Sequence, residues 1–543
     1  MIRDHSNKQL RLDLFETSLG RQLSPKNRWV ELSQSLPWDD LCKVYQRSLS
    51  QDQGAPSKPA RQVIGSLIIK HKLKLSDREV LAQIEENPYL QYFVGLDHFQ
   101  HKPLFDPSLF VHFRKRMGVE AFEQMNQSLL IKAGLIAEPA KEKSQPPEDS
   151  DSGQGQDSPS DSDSVSASNS TKQGKESNSL NKGKLLIDAM VCEQMIQYPT
   201  DLDLVSRSRK EAERLIDLVY DPQPGKVKPR TYRIRARKDY LAVAKKRRKS
   251  KRLLRKALAK QLNYLRRDLE ILKHLLEETP DSFNRLRFRD MKIYWVIQHI
   301  YAQQREMHSQ RSNSCKDRIV NIYQPHVRPM VTGKAAKKTE FGAKSSVSLL
   351  NGFSSVHAIR WDNFHEALDL KGQVEEYKDR YGYYPEVVSA DQKYGTRANR
   401  KWLKEKGIRF SGKALGRPKK NPQPEDIELA KLKKQEQKLR SQIEGKFGQG
   451  KNGYNLRTIR ARLDMTSKSW IAAIFFVMNI KKFEELRAFA LIFEQIITLF
   501  SPPDKARTNP KTYFCMNIGK ILRADRLFRT SYNTVSATPK LEF

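Results

Sequence analysis

Three acids in the chain occupy positions where a carboxylate can do chemistry. Asp188 and Asp391 each close a short apolar run with the character of a buried strand, KLLIDAMV (184–191) and EVVSAD (386–391), and Glu444 follows on a helical stretch. An acid at the carboxyl end of a strand opens onto the crevice in which α/β sheets bind ligands. Two carboxylates converging there repel one another unless a cation lies between them. A third, supplied by a helix, completes an oxygen-rich site for hard divalent ions with positions left for substrate phosphates. Such a site supports two-metal phosphoryl transfer: one ion activates a water or a 3′-hydroxyl, and the other stabilises the leaving oxygen. The chain has 63 acids, however, and strand-end aspartates also serve as loop caps, so spacing alone leaves both readings open.

The surroundings of Glu444 add to this. Arg440, Glu444, Phe447 and Lys451 are spaced so that a continuous helix puts all four on one face. The plain alternative is an intrahelical Arg440–Glu444 pair of roughly 0.3–0.5 kcal/mol. Gly445, Gly448, Gly450 and Gly453 crowd the same stretch, although a glycine costs about 1 kcal/mol relative to alanine in a helix interior. Glycines beside cations allow close approach of a bulky partner such as a nucleic-acid strand, or Gly448 simply ends the helix.

The elements that must position these acids follow from periodicity. Strands are expected over 318–331, 340–350, 354–362 and 408–412, and helices over 365–382, 396–407, 425–448 and 469–500. Three linked strands followed by strand–helix alternation predict an α/β fold with a mixed sheet flanked by helices. Ahead of it, residues about 61–133 read as helices. Ser76 and Glu79 form a capping-box pair, and DPSLFVHFRKRMG ends in Arg114, Lys115 and Arg116. This pattern suits a helix-turn-helix DNA reader, or equally a helical bundle with a basic solvated face.

Residues 141–180 hold 12 Ser, eight acids, four Lys and no aromatic residue, and predict a disordered acidic tether. Residues about 201–308 are helical and strongly basic. Within 221–260 there are 17 Lys plus Arg against two Asp, and Leu253, Leu258, Leu262, Leu265, Leu269, Leu272 and Leu275 form an amphipathic stripe. The expected division is an N-terminal helical domain (1–139), the linker (140–183), a catalytic α/β unit (184–200 and 312–500), the basic insertion (201–311) and a C-terminal tail (501–543). The whole chain of 543 residues carries a net charge of +36, which points to a polyanionic partner. The most apolar stretch, Ile471 to Met478, is about half the ~20 residues needed to cross a bilayer, so no membrane association is expected. Cys42, Cys192, Cys315 and Cys515 are scattered without a CxxC pair, which argues against a zinc or disulfide framework and for a reducing, cytoplasmic setting.

RSQIEGKFGQGKNGYNLRTIRARL (440–463) followed by SWIAAIFFVMN (469–479) resembles the C-terminal signature of bacterial insertion-sequence transposases of the DDE type, in the insertion-sequence-five group. The likeness extends through LLIDAMVCEQMIQYPTDLDLV, QPHVRPMVTGKAAKKTEFGAKSSVSLL, SADQKYGTRANRKWLKEKGIRFSGKALGRP and the DPSLFVHFRKRMG element, covering roughly residues 60–135 and 184–480. The resemblance implies an RNase H-like catalytic fold, with Asp188, Asp391 and Glu444 as ligands of two Mg²⁺ ions (Mn²⁺ as a substitute) and Asp188 bridging both. It implies DNA transposition: binding of terminal inverted repeats, cleavage, and transfer of the freed 3′-hydroxyl to target DNA, by a homodimer or higher oligomer on double-stranded DNA. Around the last acid the related families carry a Tyr, Arg, Glu, Lys pattern. Arg440, Glu444 and Lys451 fit it, implying contacts to transposon-end phosphates, while Gln437 stands at the Tyr position. DNA contacts are further expected from Lys446, from Arg114, Lys115 and Arg116, and from Lys246, Arg247 and Arg248 of the insertion. The rival readings are a silent or repurposed DNA-binding protein, a metal-dependent nuclease without strand transfer, and an RNA-binding structural protein.

Overall fold

The computed structural model describes residues 19–20, 23–50, 55–137, 181–222, 227–278, 280–332, 339–416 and 423–500. The expected tether lies almost wholly outside these residues, and the C-terminal tail entirely so.

Among the described residues, the N-terminal part holds the helices α1 (Arg28–Ser35), α2 (Trp38–Gln46), α3 (Ala60–Leu73), α4 (Asp77–Glu86), α5 (Pro88–Phe93), α6 (Leu109–Arg116) and α7 (Val119–Lys132). The capping box holds: Ser76 accepts from the Glu79 N–H, and Glu79 reaches back to the Ser76 N–H at 2.7 Å. Helices α1 and α2 fall in a stretch for which the sequence reading assigned no element.

Strand β1 (Lys184–Glu193) leads into the insertion, built from α8 (Asp201–Val219), α9 (Arg233–Ala244), α10 (Lys251–Glu278) and α11 (Phe288–Ser309). Along α10, Leu262, Leu265 and Leu272 are buried with Val205, Ala212 and Ile216 of α8 and Ile293, Ile297 and Ile300 of α11 in a separate core. The leucine stripe thus seals a helical bundle and leaves the cationic face outward.

The sheet resumes with β2 (Arg328–Val331), β3 (Thr339–Leu350) and β4 (Phe353–Arg360), followed by α12 (Leu370–Tyr381), β5 (Val387–Ala390), α13 (Arg397–Glu405) and β6 (Arg409–Phe410). The strand expected over 318–331 shortens to its last four residues; 318–327 runs irregularly and pairs with no described strand. Asn351 and Gly352, both at positive φ, make the tight β3–β4 turn. The sheet is mixed. Its path runs β2–β3–β1–β5–β6, with β4 also on β3; β3 is antiparallel to β1, β2 and β4, and β1, β5 and β6 are parallel.

Three helices follow to the end of the described residues: α14 (Pro424–Lys438), α15 (Ser441–Gly453) and α16 (Asp464–Phe500). The single helix expected over 425–448 is therefore two, separated at Leu439–Arg440. The second continues past Gly448 to Gly453, so Gly448 does not terminate it.

Helix α16 explains the most apolar stretch of the sequence. Ile471, Ile474, Phe475 and Met478 pack on the sheet with Ile443 and Phe447 of α15. Ala472, Ala473, Phe476, Val477 and Ile480 pack instead among the N-terminal helices. A helix apolar all round is buried on all sides. The N-terminal helices, expected as a separate domain, thus share one core with the last helix of the sheet unit. No described helix is long and apolar enough to cross a membrane.

Candidate active site

Strand register decides where the acids point. Leu186, Met190 and Cys192 face the core that contains α15 and α16, whereas Leu185 and Ile187 face α12 and α13. Asp188 shares parity with the first set, so its carboxylate projects toward α15. It does not end its strand, as the sequence suggested. β1 runs on to Glu193 because β3 pairs with it along that length. The parallel ladder to β5 stops at Ile187↔Ala390, and this early stop opens the space beside Asp188. Asp391 follows the last residue of β5 and caps a one-turn 3-10 helix (Gln392–Tyr394), accepting from the Gln392 N–H at 2.6 Å.

The break between α14 and α15 places Arg440 at the N-terminus of α15, with Glu444 one turn on. From there the guanidinium reaches all three acids. Nη2 lies 3.0 Å from Glu444 Oε1 and 3.7 Å from Asp188 Oδ2, and Nη1 lies 3.5 Å from Asp391 Oδ1. Glu444 is the most exposed of the three side chains and Asp188 the least. Burial pushes the Asp188 carboxyl up to about 6, against the Ala189 N–H and Arg440, which favour its charged form; the charges of Glu366 and Asp391 add to the rise.

Two neighbours carried no signal in the sequence. Glu366, just ahead of α12, pairs with the Lys344 ammonium of β3 at 2.7 Å. Tyr394 is fully buried with its hydroxyl unpartnered. Burial raises its pKa, as do Glu366, Asp188, Asp369 and Asp391. Neither residue belongs to a spacing pattern; the packing of the 366–369 turn against the 392–394 turn brings them to this end of the sheet.

The donor chemistry fits a hard divalent ion: three carboxylates, all oxygen, gathered around one cationic group. Among the described residues no group of three or more His, Cys, Asp or Glu stands close enough to hold a metal ion. Here the guanidinium stands between the acids.

The expected DNA-contacting cations separate into three classes. Arg114 is buried, its two Nη atoms bonded to Asp77 at 2.9 and 2.8 Å, and its guanidinium lies 5.2 Å from the Trp470 ring centre. Asp77 also binds the buried Lys70. Burial would raise the Asp77 carboxyl, but the two cations outweigh it and hold it at about 2. Arg114 therefore ties α6 to α4 and α16, and the assignment as a DNA contact is corrected; Lys115 and Arg116 beside it are exposed. Lys446 is likewise buried, donating to the Gly352 and Met478 carbonyls at 3.1 and 3.3 Å, with burial pushing its ammonium down to about 8. It is a packing residue, not a surface contact. Lys451 is half-buried, 3.9 Å from Glu340. Lys246, Arg247 and Arg248 lie in the α9–α10 turn, where residues 245–252 hold seven exposed cations in eight positions, none ion-paired with a described residue. Gly445 and Gly448 face open space, so the surface of α15 stays low beside Glu444.

Comparison with known proteins adds a second line. Residues 388–481, spanning Asp391, Arg440 and Glu444, match the family model described as Transposase DDE domain. Residues 17–116, covering α1 to α6, match the model described as Transposase domain (DUF772). The chain is 33% identical over 113 residues to an uncharacterized protein, ORF8 in the nfe locus, of Rhizobium meliloti. That stretch is 21% of this chain, and it spans about half (54%) of the length of that curated relative. No solved structure matches.

Proposed function

We propose that the chain is an insertion-sequence transposase that cuts DNA at the element's terminal inverted repeats and joins the freed ends to target DNA, a reading supported by the two stretches that match transposase family models. The observation that carries this reading is the convergence of Asp188, Asp391 and Glu444, from two strands and a helix, on a single cation position. The strand order β4–β3–β1–β5–β6, with its antiparallel first half and parallel second half, supports an RNase H-like catalytic unit.

Asp188, Asp391 and Glu444 would hold divalent metal, Mg²⁺ with Mn²⁺ as substitute. Bound there, the metal would supply positive charge for the attacking and leaving oxygens of an in-line displacement. In the first step water attacks the phosphorus at the element's end, and the bond to the 3′-oxygen breaks to leave a 3′-hydroxyl. In the second, that hydroxyl loses its proton and attacks a target phosphodiester, releasing a target 3′-hydroxyl. The exposed cations Lys115, Arg116, Lys246, Arg247 and Arg248 would bind duplex phosphates, and joining two ends calls for at least a homodimer. A cytoplasmic, nucleoid-associated location accords with a DNA substrate.

The test is incubation of the full-length protein with Mg²⁺, a supercoiled target and DNA fragments carrying the element's end, one uncut and one pre-cut to a 3′-hydroxyl. Joined products are expected. Cleavage of uncut ends without joining would make the protein a nuclease, and binding without either reaction a repurposed DNA-binding protein.

A further inference from the structure

Arg440 makes ion-pair contact with all three acids of the centre, and no other described cation does so. It sits between α14 and α15, at the N-cap of α15 and one turn ahead of Glu444. Its Nε is buried without a hydrogen-bond partner, and the side chain as a whole is 23% exposed. Its nitrogens stand 3.0 to 3.7 Å from the three carboxylates. A metal ligand oxygen must close to about 2.1 Å for a magnesium-sized ion. A guanidinium and a divalent ion cannot share that space, since like charges a few ångströms apart at low dielectric repel strongly.

The geometry points to Arg440 as a resident cation that keeps the three carboxylates gathered and must swing out before divalent metal binds, freeing its guanidinium for a DNA phosphate. This rests on the reading of Asp188, Asp391 and Glu444 as metal ligands. Without a cation the three acids would repel one another and splay. With Arg440 in place the centre is preassembled yet closed to metal. By linkage, a phosphate that draws Arg440 away strengthens metal binding, and metal strengthens phosphate binding by the same factor. The arrangement would couple charging of the active site to the arrival of DNA.

The experiment is Mn²⁺ titration of full-length, DNA-free protein, with free Mn²⁺ read by electron paramagnetic resonance. R440Q is expected to bind Mn²⁺ about five- to tenfold tighter than the wild type. R440K, whose single ammonium cannot span three carboxylates, should fall between them, and it serves if R440Q fails to fold. A short duplex should raise Mn²⁺ affinity in the wild type and leave R440Q unchanged. D188N should abolish binding in every background. Equal affinity in the wild type and both Arg440 variants, with D188N still abolishing binding, would overturn the role of Arg440 and leave the metal site standing. Absence of Asp188-dependent binding in all variants would overturn both.

Discussion

The acidic centre and the basic hairpin of the insertion handle charge in opposite ways. At the sheet end, two strands and a helix bring three carboxylates together and hold them with one guanidinium, part of the group screened from water. At the α9–α10 turn, seven cations crowd eight residues and stay in water with no ion pair to any described residue. The first arrangement persists because local partners cancel the repulsion. The second persists because water and salt do so, and a polyanion can replace them. On the proposed function, the contrast is between a site for chemistry and a surface for gripping DNA.

Replacing any one acid of the centre should have the largest effect. D188A, D391A and E444A are each expected to slow DNA cleavage by about a thousandfold or more while leaving duplex affinity within a few-fold. Gel assays of cleavage beside mobility shifts would check this, and full activity in any of the three would detach that residue from the centre. Next comes Arg114, which shares a basic triplet with two exposed cations. R114A removes both Nη bonds to Asp77, leaves Asp77 with Lys70 alone and opens a gap beside Trp470, and it should cost about 3–5 kcal/mol in denaturant unfolding. K115A and R116A should be nearly neutral in stability.

For the hairpin, K246E/R247E/R248E should weaken duplex affinity by about tenfold or more. The slope of log affinity against log salt should fall by about 2 to 3 in magnitude, with no loss of stability. An unchanged slope would reduce the hairpin to a solvated strut. The smallest effect concerns Asp268 of α10, fully buried with both carboxylate oxygens unpartnered. Burial, and then Glu213, push it up to about 8. The folded state therefore keeps a proton that the unfolded chain releases above about pH 4, and this residue's contribution to stability declines as pH rises from there to about 8. D268N should remove that part of the decline and stabilise the protein at pH 8 by roughly 1–3 kcal/mol, read from melting curves across that range.

Much of the scaffold was legible. Alternating apolar residues marked β3 and β4, Ser76 and Glu79 marked the start of α4, and the leucine stripe marked α10. Other features had no local signature. The break before Arg440 falls inside a pattern that reads as one helix. Asp188 gains its crevice from the early end of β5, a strand far along the chain. Glu366 and Tyr394 reach the acidic end of the sheet only through the packing of two turns.

What the sequence by itself determined is the set of periodicities, the types of the three acids and the excess of cations, because propensity, patterning and charge are properties of local residues. Only the tertiary structure decided which charges meet. Arg114 and Lys115 are neighbours of like charge, yet one is locked between Asp77 and Trp470 and the other lies in solvent. Lys446 is spent on two carbonyls while Arg440, two turns earlier, gathers three carboxylates. Burial and pairing depend on partners brought from distant parts of the chain, and those partners fix the energy of a charge far more than its own identity does.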